Sequence, residues 1–280
     1  LPTGFIKLQP IGGWNVNTLS SSPVIVINSR KEKIPGIIGS VPVHFQKDNK
    51  ASLTMENLFV DVGAESKKDA EDNFGIHISD QIVPVTNFHY SKPNNLTFSK
   101  AFDDRAGIAA IIETGKLLKG MDHPNTVFCT GSVQEEVGGR GAKAISSRSD
   151  ADICLVLEGA PADDTPGISD CPQTKLGKGV QIRLFDPTMI VKEGLKNYIL
   201  EIAEKSGIPH QITVRKSGGT DSLHIHTAKY GIPTMVFAVP VRYAHSHNCM
   251  MSMDDFNNLI DLLVQIIAGL DQDALNRIIA

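Results

Sequence analysis

No stretch of this chain approaches the ~20 consecutive apolar residues that a membrane-spanning helix needs, so a helical span is excluded. The longest apolar runs, such as residues 234–241, are strand-sized. There is no cluster of lysine and arginine, and 27 basic against 31 acidic residues leave a formal net charge of −4. That is a poor footing for a nucleic-acid binder, whose affinity rests on neutralised phosphates. Cysteine is scarce: Cys129, Cys154, Cys171 and Cys249, with no two in C-x-x-C spacing, which excludes a zinc knuckle or a thioredoxin-type motif. Cys129 and Cys154 lie in apolar strand-like runs, where a reduced thiol packs as a small hydrophobe, and this reads as a reducing, cytoplasmic setting. The first ten residues lack a basic-then-apolar signal pattern. They start at Leu1 rather than Met, which reads as a processed product or a piece of a longer chain.

What is present is ordinary globular usage: 280 residues, 41% hydrophobic and 21% charged. Disordered, collagen-like and coiled-coil chains are thereby excluded, and the length suits one large domain or two modest ones. The two parts of the chain read differently. Residues 1–98 carry short apolar or alternating segments at 4–9, 24–28, 36–39, 58–62 and 81–88, broken by turn clusters such as Gly12-Gly13. One helix is expected there, 66–73, with Ser66 as its N-cap. This spacing predicts a small β-barrel or sandwich. From about residue 100, helices at 104–118, 141–147, 192–205 and a last one capped by Ser252 alternate with strands at 126–133, 151–157, 180–185, 211–215 and 234–239. Alternation of this kind predicts a mostly parallel sheet flanked by helices.

In such sheets ligands bind beyond the carboxyl ends of the strands, and the residues at those ends are acidic or histidine. Asp103-Asp104 precedes the first helix of the second part. Glu135-Glu136 follows 126–133, Glu158 follows 151–157, Asp221 follows 211–215, and His245-Ser246-His247 follows 234–239. Taken alone, each has an ordinary reading: Asp-Asp as a helix cap, Glu-Glu as a solvated strand end, Glu158 as an arginine's partner, the histidines as a polar loop. The remaining histidines read as surface or structural groups, except that His224 or His226 is placed to support a ligand carboxylate. The force is joint. Carboxylates gathered in a cleft repel one another, and a divalent metal is the economical remedy. Asp, Glu and His suit zinc, manganese or cobalt. Two such ions need a bridging carboxylate, and a further carboxylate can act as general base on a water. Adjacent glutamates suit that division of roles.

These residues sit in segments that resemble the M42 metallo-aminopeptidases, the TET-type glutamyl, leucyl and lysyl enzymes. The segments are FIKLQPIGGW (5–14), PGIIGS (35–40), FVDVGAES (59–66), KAFDDRAG (100–107), VQEEVGGRG (133–141), DTPG (164–167), KLGKG (175–179), GGTD (218–221) and VPVRYAHS (239–246), in order along nearly the whole chain. The resemblance implies a zinc-peptidase-like α/β catalytic domain, here 99–280, into which a small β domain, here 1–98, is inserted for assembly. It implies that Asp103 bridges two divalent ions, most naturally zinc, with cobalt and manganese as options. Glu135 then corresponds to the general base, Glu136 and His245 to ligands of one ion, and Glu158 to a ligand of the other, where the family more usually has Asp. It further implies a peptide substrate, no nucleic-acid or membrane partner, and a homo-oligomer of twelve subunits. The family's His-x-Asp motif belongs upstream of FIKLQPIGGW, and these residues begin only four before it. By that count one site keeps Asp103, Glu136 and His245, the other Asp103 and Glu158. A scaffold chain without a complete centre, or a related metal-dependent deacylase, are the competing expectations.

Overall fold

The computed structural model describes residues 1–45 and 53–280. Contacts divide them into two units, Leu1–Phe88 with His245–Asn248, and His89–Ala244 with Cys249–Ala280.

In the smaller unit, period-two alternation builds the sheet. Strands β1 (Ile6–Lys7), β2 (Pro23–Ile27), β3 (Lys33–Gly39), β4 (Phe59–Asp61) and β5 (Gln81–Pro84) pair antiparallel in the order β1-β4-β3-β2-β5. Val24 and Val26 of β2 turn inward with Ile38, Leu58 and Val60 to form its core. Helix α1 (Lys67–Asp72) starts as the sequence indicates, with Ser66 Oγ accepting from the Asp69 N–H at 3.1 Å. Among the described residues β1 and β5 do not pair, so this is an open sheet and not a closed barrel, one of the two forms that the strand spacing predicts.

The larger unit carries β6 (His89–Ser91), β7 (Leu96–Ser99), α2 (Phe102–Leu118), α3 (Arg140–Ser146), β8 (Cys154–Pro161), β9 (Val180–Asp186) and β10 (Met189–Ile190). It continues with α4 (Glu193–Ser206), β11 (His210–Val214), α5 (Ser222–Ile225), β12 (Thr234–Arg242), β13 (Cys249–Ser252), α6 (Met253–Ala268) and α7 (Gln272–Ile279). The expectation of a mostly parallel sheet is overturned here. Among the described residues only β8–β12 and β9–β11 pair parallel, while β9–β10, β9–β12, β12–β13, β13–β7 and β7–β6 are antiparallel. The reason lies in the connections. A parallel neighbour needs a long crossover, usually helical, whereas a short link returns the chain antiparallel. Two residues separate β9 from β10, and six separate β12 from β13. Residues 126–133, expected as a buried strand, make no ladder among the described residues, and Phe128 and Val133 stand 68% and 67% exposed. Side-chain alternation marks a face, but a strand also needs a backbone to bond.

Alternation along the central strands sorts two faces. Met235, Phe237 and Val239 of β12 pack with Ala106, Ala110, Leu195, Leu259, Leu262 and Leu263 from α2, α4 and α6. Val156 and Val236 face the other way and pack with Ile225 of α5. Ser252 caps α6 by accepting from the Asp254 and Asp255 N–H groups. Asp255 itself does not reach back to complete a capping box. Its carboxylate accepts from Gly177 N–H and Gly179 N–H, both at 2.7 Å, and so fastens the 175–179 turn to the helix start. Burial pushes its pKa up to about 6, against the pull of those two donors. Among the described residues no helix is long and apolar enough to cross a membrane. Cys154 is a free thiol, and burial pushes it up to about 12, which leaves it an inert core group.

Candidate metal centre

The Asp103-Asp104 pair divides two roles that the sequence leaves merged. Phe102 is buried, and the two residues after it leave the helical region, Asp103 at φ −86°, ψ 104° and Asp104 at φ −121°, ψ 53°. Asp104 Oδ1 accepts from Gly107 N–H at 2.8 Å and so caps the regular part of α2. A side-chain carbon at 107 would sit 2.3 Å from that carboxylate, which is why the position is glycine. The helix-cap reading therefore applies to Asp104. Asp103 goes elsewhere: its carboxylate lies within 4.8 Å of that of Glu136.

Glu135 and Glu136 stand on a single tight turn, Glu135–Val137, entered through Gln134 at φ 60° and left through Gly138 at φ 110°. Gly138 N–H and Gly139 N–H both donate to Glu135 O at 2.9 Å. The turn supplies what an extended segment cannot, since neighbours on a strand point opposite ways. Glu136 joins the ligand-type group, while half-buried Glu135 lines a cavity of about 820 Å³ together with Asp104, Ser132, Glu158 and Asp221.

Glu158 projects from β8 opposite Ala238 of β12 and is buried. Burial holds its carboxyl well above the usual range, helped by Asp104, Glu135 and Asp103 and opposed by Arg183. Burial likewise pushes Asp104 up to about 8, against the Gly107 N–H and with Asp103, Glu135 and Asp221 adding repulsion. Glu158 thus shares the acidic surroundings of Asp103, which the resemblance groups with Glu136 and His245 as ligands of one ion. Two carboxylates and an imidazole are a donor set that suits zinc, cobalt or manganese, at bond lengths of about 2.0–2.2 Å for zinc. The spacing of the Asp103 and Glu136 carboxylates and the repulsion among the neighbouring carboxylates both fit a bound cation.

His245 lies on the link between β12 and β13, at φ 61°, and its carbonyl accepts from Asn15 N–H at 2.9 Å. His247, its partner in the sequence motif, is engaged differently, with its ring 3.2 Å from Ser22 Oγ. Sequence reasoning missed what holds the neighbouring loops. Arg242 donates from Nε and Nη2 to the two oxygens of Asp164 at 2.7 and 2.6 Å, and Asp164 also accepts from Leu176 N–H at 3.0 Å. That fork ties the DTPG segment after β8 to the end of β12, and burial of an Arg–carboxylate pair was the signal available. His226 bonds Ser222 O at 2.9 Å and His224 bonds Gly138 O at 3.0 Å, so neither supports a ligand carboxylate directly.

The neighbouring carboxylates of Asp103 and Glu136 define a candidate divalent-metal centre, and comparison with known proteins carries the assignment further. The M42 glutamyl aminopeptidase family model matches residues 1–262. A glutamyl aminopeptidase of Lactococcus lactis is 32% identical over 278 residues, covering 98% of this chain and 77% of that protein. A TET aminopeptidase from a marine-sediment thaumarchaeon has a structure similar at TM-score 0.94 and 35% identity, covering 99% of this chain and 78% of that one. The TET1 peptidase of Pyrococcus horikoshii, which assembles into a tetrahedron or a large octahedral shell, is similar at TM-score 0.83 and 29% identity, covering 96% and 78%. This chain belongs to the M42 peptidase family.

Proposed function

We propose that the protein is a metal-dependent aminopeptidase that removes N-terminal residues from peptides. The observation that carries this reading is the approach of the Asp103 and Glu136 carboxylates to within 4.8 Å, with Glu135 beside Glu136 on the same turn. Asp103, Glu136 and His245 would hold one divalent ion, zinc first among the options, and Asp103 with Glu158 would contribute to a second. Bound ions supply Lewis acidity toward the scissile carbonyl. The chain supplies the rest. Glu135 takes a proton from the attacking water and returns it to the departing amine. Removal of an N-terminal residue requires a free α-amino group, so an acylated end is not a substrate for this reaction.

The test is release of a chromogenic amino-acid amide. Activity should vanish on exhaustive chelation and return in part with zinc, cobalt or manganese, while N-acylated amino acids stay intact. Turnover that survives chelation would overturn the metal reading. Hydrolysis of the acylated compounds in place of the amide would point to a deacylase.

The shell assembly described for the P. horikoshii peptidase supports a second proposal: residues 1–98 serve in subunit contacts, within a dodecamer. Sedimentation should then show a particle far larger than the 30.3 kDa chain. A monomer at every concentration would overturn the assembly and leave the chemistry untouched.

A further inference from the structure

The turn that carries Glu135 and Glu136 is stiff within itself, through the bonds from Gly138 and Gly139 to Glu135 O. Its moorings are less obvious. The segment leading into it, 126–133, is bonded into no ladder among the described residues. A stiff turn on such a lead can swing as a body unless something outside holds it.

Two side chains from one short segment do hold it, one at each end. Before the glutamates, Ser132 Oγ donates to Asp221 Oδ2. After them, Gly138 O bonds His224 Nε2 at 3.0 Å; since a carbonyl only accepts, His224 is the donor, with its proton on Nε2. The holding segment is itself anchored. Ser222 is fully buried, Thr220 Oγ1 bonds its hydroxyl at 2.7 Å, and Ile225 packs against Val156 and Val236 of the sheet. Gly139 belongs to the same arrangement: at φ 60°, a side-chain carbon there would meet His224 Cδ2 at 2.8 Å and push the ring off its carbonyl. Asp221 also bears a cost. It is 9% exposed, and its Oδ1 is buried with no hydrogen-bond partner. A buried acceptor left unpaired is unfavourable for stability, and such exceptions concentrate at functional sites.

We infer that Asp221 and His224 are positioning residues, a two-point clamp that fixes the Glu135–Glu136 turn by holding Ser132 at its entrance and the Gly138 carbonyl at its exit. The inference rests on the roles proposed above for Glu135 and Glu136. Outer contacts that orient ligands and bases are typically worth ~10–100-fold in activity, because displacing a reacting group by about 1 Å is enough to lose that much.

The experiment uses the metal-loaded protein and reads kcat, KM, bound metal by elemental analysis, and amide hydrogen exchange of residues 133–141. Ser132→Ala and His224→Ala are each expected to lower kcat by ~10–100-fold with KM little changed, and to speed exchange at Gly138 and Gly139. His224→Gln, which keeps an N–H donor, and Asp221→Asn, which keeps an oxygen for Ser132, are expected to recover most of the lost kcat. Loss of metal in Asp221→Asn would make Asp221 a ligand and overturn the clamp. Unchanged kcat and exchange in both alanine variants would also overturn it, while Glu135→Gln, run alongside, reports separately on the base. If Glu135→Gln remains active, the proposed role of Glu135 fails whatever the clamp variants do, and the clamp's link to catalysis fails with it.

Discussion

Glu135→Gln is expected to keep its metal and lose turnover, by ~10²–10⁴-fold or more, the usual range for removal of a general base. The substitution is nearly isosteric. The turn is held by backbone bonds to Glu135 O, which the side chain does not enter, so local geometry should survive. What is lost is a carboxylate able to take a proton. Glu136, one residue on, differs in place: its carboxylate lies within 4.8 Å of that of Asp103, so Glu136→Gln should weaken metal binding as well as activity. Measuring kcat and metal content on both variants decides the assignment. A Glu135→Gln protein that binds no metal, beside a Glu136→Gln protein of full activity, would reverse the two roles.

Residue types at expected strand ends drew attention to the acidic groups, but the strand ends themselves were partly misplaced: Glu158 lies inside β8 and Glu136 follows no strand among the described residues. Local chemistry was readable where it is short-range: Ser66 and Ser252 cap their helices as their positions indicate. What failed depended on partners that the sequence does not order. The direction of β9 follows from a helix-free connection after β8, and residues 126–133 have a strand's pattern without a strand's neighbour. The split between Asp103 and Asp104 turns on one hydrogen bond to Gly107. His247, identical in type to His245 and two residues away, meets a serine, Ser22. The clamp joins positions 89 and 86 residues apart, a pairing that no local pattern encodes.

The largest loss of metal is expected from Asp103→Ala, with turnover falling at least as far as in Glu135→Gln. Three protein donors are the usual minimum for a catalytic zinc, and this change reduces the group to Glu136 and His245. If Asp103 also bridges to the ion beside Glu158, one substitution weakens both positions, whereas His245→Ala removes a donor from one only. Where two ions are bound, a fall to near none in Asp103→Ala, but to about one in His245→Ala, is therefore the pattern that a shared carboxylate predicts. The helix should tolerate the change, because its cap is Asp104 and not Asp103. The electrostatics add an independent readout. Asp103 is one of the charges that raise the Glu158 and Asp104 carboxyls, so in metal-free protein its removal should move both downward, toward the ordinary carboxylate range. Equal metal loss in the two variants would argue against bridging. A downward shift of Glu158 without any metal loss would reduce Asp103 to a neighbouring charge, and the ligand assignment would then fall with it.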